Sequence, residues 1–169
     1  MRIVLRVLAA LVLSAVGLAG YHGALSPVLI SEESLGPFQF VYRPVVSVNH
    51  QKVTRLTSEI DLMLASIDVE HRKPLYVYFP DGSAQIGLKV DGVELDLTLS
   101  NGTRVQTIPE QEFLVARFPL RSPLSSFVGR MKVDVALAEY RRVKGYEASG
   151  VMTLYDGKTI IYLQSVSES

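Results

Sequence analysis

The stretch LYVYFPDGSAQIGLKV, residues 75–90, decides the fold. Aromatic and β-branched residues alternate in its first half, and a second apolar run follows Asp81-Gly82. An Asp-Gly pair between two such runs is a strong hairpin signal, because glycine readily adopts the left-handed backbone that a tight turn needs. The stretch therefore predicts two antiparallel strands, Leu75–Pro80 and Ala84–Val90.

A strand and a helix are predicted before this hairpin. Phe38–Val48 is rich in aromatic and β-branched residues, and Pro44 within it indicates an edge strand or a bulge. Asn49 is a suitable N-cap residue. Apolar residues then recur at steps of three and four, which is typical of an amphipathic helix that Pro74 would end: Val53, Leu56, Ile60, Met63 and Ile67.

The same order of elements returns in the second half of the chain. Ser122-Pro123 supplies a cap and a first-turn proline for a helix that extends to about Val143 and stops at Gly145. Apolar residues lie on one side of that helix: Leu124, Phe127, Val128, Met131, Val135 and Ala138. The predicted strands around it are Glu112–Leu120, Val151–Tyr155 and Lys158–Val166, the last two joined by Asp156-Gly157.

An inserted hairpin, Val93–Leu99 with Thr103–Ile108, separates the two halves. Without it, the chain reads strand, helix, strand, strand, twice over. The sequence thus predicts an α+β domain made of two βαββ repeats, Phe38–Val90 and Glu112–Val166.

The beginning of the chain is apolar except for two arginines. Residues 7–25 carry no formal charge and follow Arg2 and Arg6, which predicts a transmembrane helix over residues 3–25, or a signal segment cleaved after Ala19. Because the arginines precede the apolar run, they indicate a single-pass protein with a cytoplasmic N-terminus and an exported domain, periplasmic in a bacterium. Residues 1–25 are then the anchor, 26–37 a tether and 38–169 the domain.

Composition argues against several classes of function. The 17 Lys and Arg balance the 17 Asp and Glu, so a basic surface for nucleic acid is not expected. The absence of cysteine excludes disulfides, thiolate zinc sites and a cysteine nucleophile. The three histidines are not spaced as metal ligands, and no nucleotide-binding or serine-hydrolase motif occurs. We therefore predict no nucleic-acid partner, no metal and no cofactor.

Three stretches resemble the gyrase-inhibitor-like, or transcription-activator effector-binding, domain family: residues 75–90, RVQTIPEQEFLVARFP at 104–119 and KGYEASGVMTLYDGKTIIYLQSV at 144–166. The resemblance implies the doubled βαββ fold, with a cleft between its halves for flat or cationic small molecules. The apolar leader that runs into Ala19-Gly20-Tyr21 is similar to that of membrane-anchored members, among them an endoplasmic-reticulum-phagy receptor.

Alternation in the predicted strands separates tyrosines from aliphatic residues. We expect the aliphatic residues to pack under the helices and the tyrosines to line the other face, where the family's cleft would lie. The family's closing hairpin carries Glu-Ile-Tyr, whereas this chain has Thr153-Leu154-Tyr155, which argues against cation recognition. The candidate ligand-binding residues are Tyr76, Tyr78, Glu94, Thr153, Tyr155 and Tyr162.

These features predict a membrane-anchored domain that binds a small apolar or aromatic molecule without catalysis. Two alternatives stay open. One is a protein-interaction module, in which the tyrosine face or the inserted hairpin docks a membrane protein. The other is a small-substrate hydrolase built from Tyr155 with Glu94 or Asp96.

Overall fold

The computed structural model describes residues 2–21, 27–79, 81–92, 95 and 102–166. In chain order its elements are α1 (Arg2–Tyr21), β1 (Ile30–Leu35), β2 (Phe38–Val45), α2 (His50–Ala65), β3 (Arg72–Tyr78), β4 (Ala84–Val90), β5 (Arg104–Ile108), β6 (Gln111–Pro119), α3 (Pro123–Lys144), β7 (Val151–Asp156) and β8 (Thr159–Ser165).

The strands form one antiparallel sheet in the order β1-β6-β8-β7-β3-β4-β2-β5. Towards the middle of the sheet, the second half contributes β6, β8 and β7, and the first half contributes β2, β4 and β3. In each half the first strand of the repeat is outermost, the third lies next to it and the second is innermost. The halves meet where β3 pairs with β7, with Leu75 opposite Leu154. The predicted α+β architecture with two βαββ units is confirmed.

Two prolines lie where the sheet leaves one side of a strand unpaired. Pro44 is opposite Gln85 of β4, beyond the residues at which β5 pairs with β2, so one side of β2 is unpaired there although β2 is not the predicted edge strand. Pro74 does not end α2; it belongs to β3, opposite Leu88, just before the pairing with β7 begins at Leu75. Since proline has no N–H to donate, both positions tolerate it.

The structure differs from the predicted tether at residues 30–35, which form β1 and pair with β6 along its whole length. Arg117 of β6 donates two hydrogen bonds to the Glu33 carboxylate, at 2.6 and 2.7 Å. The hydroxyls of Tyr140 and Tyr146 donate to Glu32. These polar contacts explain how a segment without an apolar period becomes a strand. Strands β1 and β5 are the two edges of the sheet.

Apolar side chains cover both faces of the sheet. On one face, α2 packs Leu56, Ile60 and Leu64 against the first half, and α3 packs Val133 and Leu137 against the second. The other face holds its own buried cluster of aromatic and aliphatic residues: Phe38, Phe40, Tyr42, Leu75, Val77, Ile108, Phe113, Val115, Leu154 and Leu163. The aliphatic residues of the central strands therefore lie on the face opposite to the helices, not under them as expected.

The first half of helix α3 packs on the sheet through the small residues Ser125 and Gly129, because bulky rings rise from the strands below it. A Cβ on Gly129 would lie 2.7 Å from Cδ1 of Phe118 and 3.0 Å from the hydroxyl of Tyr162. The apolar stripe predicted along this helix consequently faces outwards in part, and Phe127 and Met131 are exposed.

Helix α1 differs from the transmembrane helix that the sequence predicted. In the described part of the chain, no helix combines the length and apolar character that crossing a bilayer requires. The anchor over residues 3–25 and the single-pass topology with an exported domain are therefore wrong; residues 22–25 of that range lie outside the described residues.

Candidate functional site

A groove of about 650 Å³ opens on the helix-bearing face of the sheet, between the first turns of α2 and α3. Tyr76 and Tyr78 of β3 and Tyr155 of β7 line it from the sheet. The start of α2 adds Asn49, His50 and Val53, and the start of α3 adds Arg121, Ser122 and Ser126. We call this site the tyrosine groove.

Local sequence explains why both helices begin here. The Asn49 side chain accepts a hydrogen bond from the Lys52 backbone N–H at 2.8 Å, and Ser122 Oγ accepts one from the Ser125 N–H at 3.2 Å. Pro123 follows as the first helical residue, where its missing N–H costs nothing. Two helix N-termini, each with a partial positive charge, therefore border the tyrosine groove.

The hydroxyls of two lining tyrosines are held by neighbouring side chains. Oη of Tyr76 and Oγ1 of Thr57 are 3.2 Å apart, and Tyr155 forms a hydrogen bond with Ser126. The rings of Tyr76 and Tyr155 are 5.4 Å apart and tilted by 53°. Removal from water raises the pKa of all three phenols, that of Tyr78 to about 12. At neutral pH they are uncharged and offer ring surface to a ligand.

The charges around these rings disfavour a cationic ligand. The guanidinium of Arg130 lies 4.1 Å from the ring centroid of Tyr78, so a cation of the protein itself covers one face of that ring. Arg121 adds a second positive charge at the groove and donates to the Tyr21 carbonyl at 2.9 Å. Among the described lining residues there is no aspartate or glutamate.

The structure divides the predicted site residues. Tyr76, Tyr78 and Tyr155 come together at the groove, whereas Thr153 and Tyr162 share their face of the sheet but are only 4% and 1% exposed. Pairing explains the arrangement: Tyr76 is opposite Thr153, which is in turn opposite Tyr162. Glu94 and Asp96 lie outside the described residues.

Sequence reasoning identified the tyrosine face but placed it on the wrong side of the sheet, away from the helices. It therefore missed the residues that the helix starts contribute, above all His50, Arg121 and Ser126. A signal for them existed in Asn49 and Ser122, both recognised as caps. In a doubled βαββ unit the two helices start at equivalent points, so residues beside the two caps were candidates to share one site.

Comparison with known proteins shows that other solved structures have a similar fold. No protein-family model and no curated protein matches the chain. Among solved structures, the EcmrR C-terminal domain is similar with a TM-score of 0.60 and 11% identity, over 86% of this chain and 99% of that one. EcmrR in its DNA complex is similar with a TM-score of 0.62 and 10% identity, over 99% of this chain and 69% of that one. SAV2435 bound to tetraphenylphosphonium is similar with a TM-score of 0.54 and 12% identity, over 82% of this chain and 94% of that one.

These likenesses show the fold. They agree with the gyrase-inhibitor-like fold that the resemblance implied. The membrane-anchored type is not shown by them.

Proposed function

We propose that this protein binds a small, neutral, apolar or aromatic molecule in the tyrosine groove and performs no chemistry on it. The observation that carries the proposal is the convergence of Tyr76, Tyr78 and Tyr155 on a groove of about 650 Å³. Ligand pockets of drug-sized molecules have volumes of about 300–1,000 Å³ and are lined by aromatic and apolar groups with few polar ones. The similar fold of SAV2435, which was solved with tetraphenylphosphonium, supports a small-molecule partner.

A neutral ligand fits better than the cation bound by that fold neighbour. The lining tyrosines are neutral, Arg121 brings a positive charge to the groove, and Arg130 already covers one face of the Tyr78 ring. A cation would lose its hydration there without gaining a carboxylate among the described lining residues. A neutral aromatic molecule loses little hydration and gains ring contacts.

The candidate residues then take two roles. Tyr76, Tyr78 and Tyr155 contact the ligand, whereas Thr153 and Tyr162 hold the sheet in place beneath them. The assignment of Glu94 as a ligand-binding acid stays a prediction.

Isothermal titration of the full chain with triphenylphosphine oxide and with tetraphenylphosphonium tests this function. These probes share three phenyl groups, and only the second carries a net charge. We expect the neutral probe to bind more tightly, and Tyr155→Ala to weaken it about tenfold because a ring contact is lost. Tyr155→Phe keeps the ring and should bind nearly as the parent does.

Tyr146→Ala is the matched control, because Tyr146 contacts Glu32 and is not among the described lining residues. It should leave the affinity unchanged. Tighter binding of the phosphonium, or equal loss in Tyr155→Ala and Tyr146→Ala, would refute the proposal.

A second candidate function, protein interaction, is favoured by the exposed side of α3. Phe127, Met131 and Val135 are 63%, 58% and 72% exposed on successive turns. A second copy of this chain is the candidate partner, because α1 also exposes apolar residues, Leu11 and Leu18 among them, that could cover this side of α3. Sedimentation of the parent and of Met131→Glu at several concentrations decides: a shared monomeric state removes this candidate.

A further inference from the structure

A second pocket, of about 250 Å³, lies on the same face of the sheet beside the C-terminal half of α3. Apolar walls come from Tyr78, Phe79 and Leu137, and polar ones from Arg130, Arg141 and Gln164. We call it the polar pocket. Tyr78 borders both sites, but Tyr155, His50 and Arg121 line the tyrosine groove and are not among the described walls of the polar pocket, so variants of these residues can distinguish the two sites.

Gln164 brings an unpaired acceptor to the polar pocket. The residue is 1% exposed, and its Nε2 donates to the backbone carbonyl of Ser149 at 2.7 Å. That bond fixes the orientation of the amide, because a carbonyl oxygen accepts only from the NH₂ end. The other end, Oε1, is buried and has no hydrogen-bond partner among the residues that the structure describes.

Arg141 brings an unpaired donor to the same pocket. Its Nε is buried and likewise has no hydrogen-bond partner within the described part of the chain. Buried polar groups are nearly always hydrogen-bonded, and leaving one unpaired is costly. One unpaired donor and one unpaired acceptor therefore belong to residues that line the same small pocket.

We propose that the polar pocket binds an aromatic carboxamide, or an aromatic lactam, which likewise has an N–H next to a carbonyl. The N–H of the ligand donates to Gln164 Oε1, and its carbonyl accepts from Arg141 Nε–H. The ring packs against Phe79 and Leu137. This proposal concerns a different site from the tyrosine groove and stands without it.

Other small ligands satisfy the pocket less well. A carboxylate accepts from Arg141 but gives Gln164 Oε1 no hydrogen, and it meets the carboxylate of Asp134, which also lines the pocket. An ammonium ion can donate to Gln164, but the carboxylate of Asp134 is already paired with Arg130, and the ion also faces Arg141. The carboxamide offers both hydrogen-bonding groups without a charge.

NMR titration of the ¹⁵N-labelled full chain with benzamide tests the proposal. We expect a saturable shift of the Gln164 side-chain NH₂ signals. Benzoate and acetophenone have the same ring but no N–H, so each should bind about tenfold more weakly through loss of one hydrogen bond.

Variants assign the binding to this pocket. Gln164→Leu removes the acceptor and should weaken benzamide about tenfold. Ala148→Phe tests the same site without touching the buried amide, because Ala148 is an exposed wall residue whose enlargement blocks the pocket. Tyr155→Ala should leave benzamide binding unchanged.

Three results would overturn the proposal. The first is no saturable response to benzamide, which would mean that water alone satisfies the two buried atoms. The second is binding that survives in Ala148→Phe. The third is binding that is lost in Tyr155→Ala, which would assign benzamide to the tyrosine groove.

Discussion

Among single residues, Gly87 lies so close to the backbone of β2 that a side chain has no room there. A Cβ at this position would lie 1.9 Å from the Val41 carbonyl oxygen and 2.7 Å from Cα of Tyr42. Both are backbone atoms of β2 and cannot rotate away. We expect Gly87→Ala to reduce the free energy of unfolding by about 3 kcal/mol, measured by urea denaturation.

Gly17→Ala is the matched control for this substitution. Nothing lies within 4 Å of a Cβ added at Gly17, and the residue is part of a helix. Its free energy of unfolding should stay within about 0.5 kcal/mol of the parent's. Similar losses in the two variants would contradict the steric explanation.

Glu33 makes the free energy of unfolding depend on pH under acidic conditions. The two hydrogen bonds from Arg117, and then the one from Ser31, lower the pKa of Glu33 from 4.5 to about 2. Because folding lowers this pKa, the contribution is complete above about pH 4.5 and is lost as the pH falls towards 2. Solvent screens this partly exposed pair, so the contribution is about 0.5–1 kcal/mol.

Urea denaturation of Glu33→Gln and the parent at pH 7 and pH 2.5 checks this dependence. The variant should be less stable at pH 7, and the difference should shrink at pH 2.5. Glu147→Gln, at an exposed glutamate, serves as the control and should track the parent at both values. A difference that grows on acidification would contradict the ion-pair account.

For the elements, the end of α3 provides a clean test of backbone strain. Gly145 has φ of +77°, and no atom lies within 4 Å of an added Cβ. A substitution there therefore costs conformational energy without a clash. We expect Gly145→Ala to lower the free energy of unfolding by about 1 kcal/mol, seen as a lower urea midpoint.

Gly145→Asn is the informative partner variant, because asparagine tolerates the left-handed conformation better than alanine. It should recover part of the loss. If alanine and asparagine are equally harmful, a contact of glycine and not its backbone angle is responsible.

Elements that combine a period with a cap were predictable from the sequence. Asn49 and Ser122 start the two helices, and Asp156-Gly157 forms the closing turn, because each acts through its immediate neighbours. β1 was missed because its stability depends on contacts with β6, such as Glu33 with Arg117, which no local pattern encodes. The outward apolar side of α3 was equally hidden, since it follows from the bulk of Phe118 beneath Gly129.

At the scale of the whole molecule, the sequence predicted the repeated architecture but not which face of the sheet carries the site. Alternation separates Tyr76 from Leu75 but does not say which of the two residues faces the helices. That choice is made by distant residues: Phe38 and Phe113 join Leu75 in the buried cluster on the far face. The tyrosines are thereby left on the helix-bearing side.

Helix α1 should contribute little to the stability of the rest of the chain. In the described residues, its end meets the domain through Arg121, which donates to the Tyr21 carbonyl and lies 5.7 Å from that ring's centroid. We expect deletion of residues 1–25 to change the thermal midpoint by less than about 4 °C, the shift that corresponds to about 1 kcal/mol.

Differential scanning calorimetry of the full and shortened chains measures this effect. Arg121→Ala in the full chain is the matched control, because it removes the same contact without removing the helix. A fall of ten degrees or so on deletion would show that α1 is part of the folded unit.

The two outer strands also bear on how copies of this protein behave at high concentration. One edge, β1, carries Glu32 and Glu33 in ion pairs with Lys144 and Arg117, and the other, β5, exposes Arg104 and Gln106. A strand from another copy would have to disrupt these ion pairs or strip water from exposed polar side chains before it could extend the sheet. The edges therefore act as a barrier to fibril formation by strand addition as long as the domain stays folded.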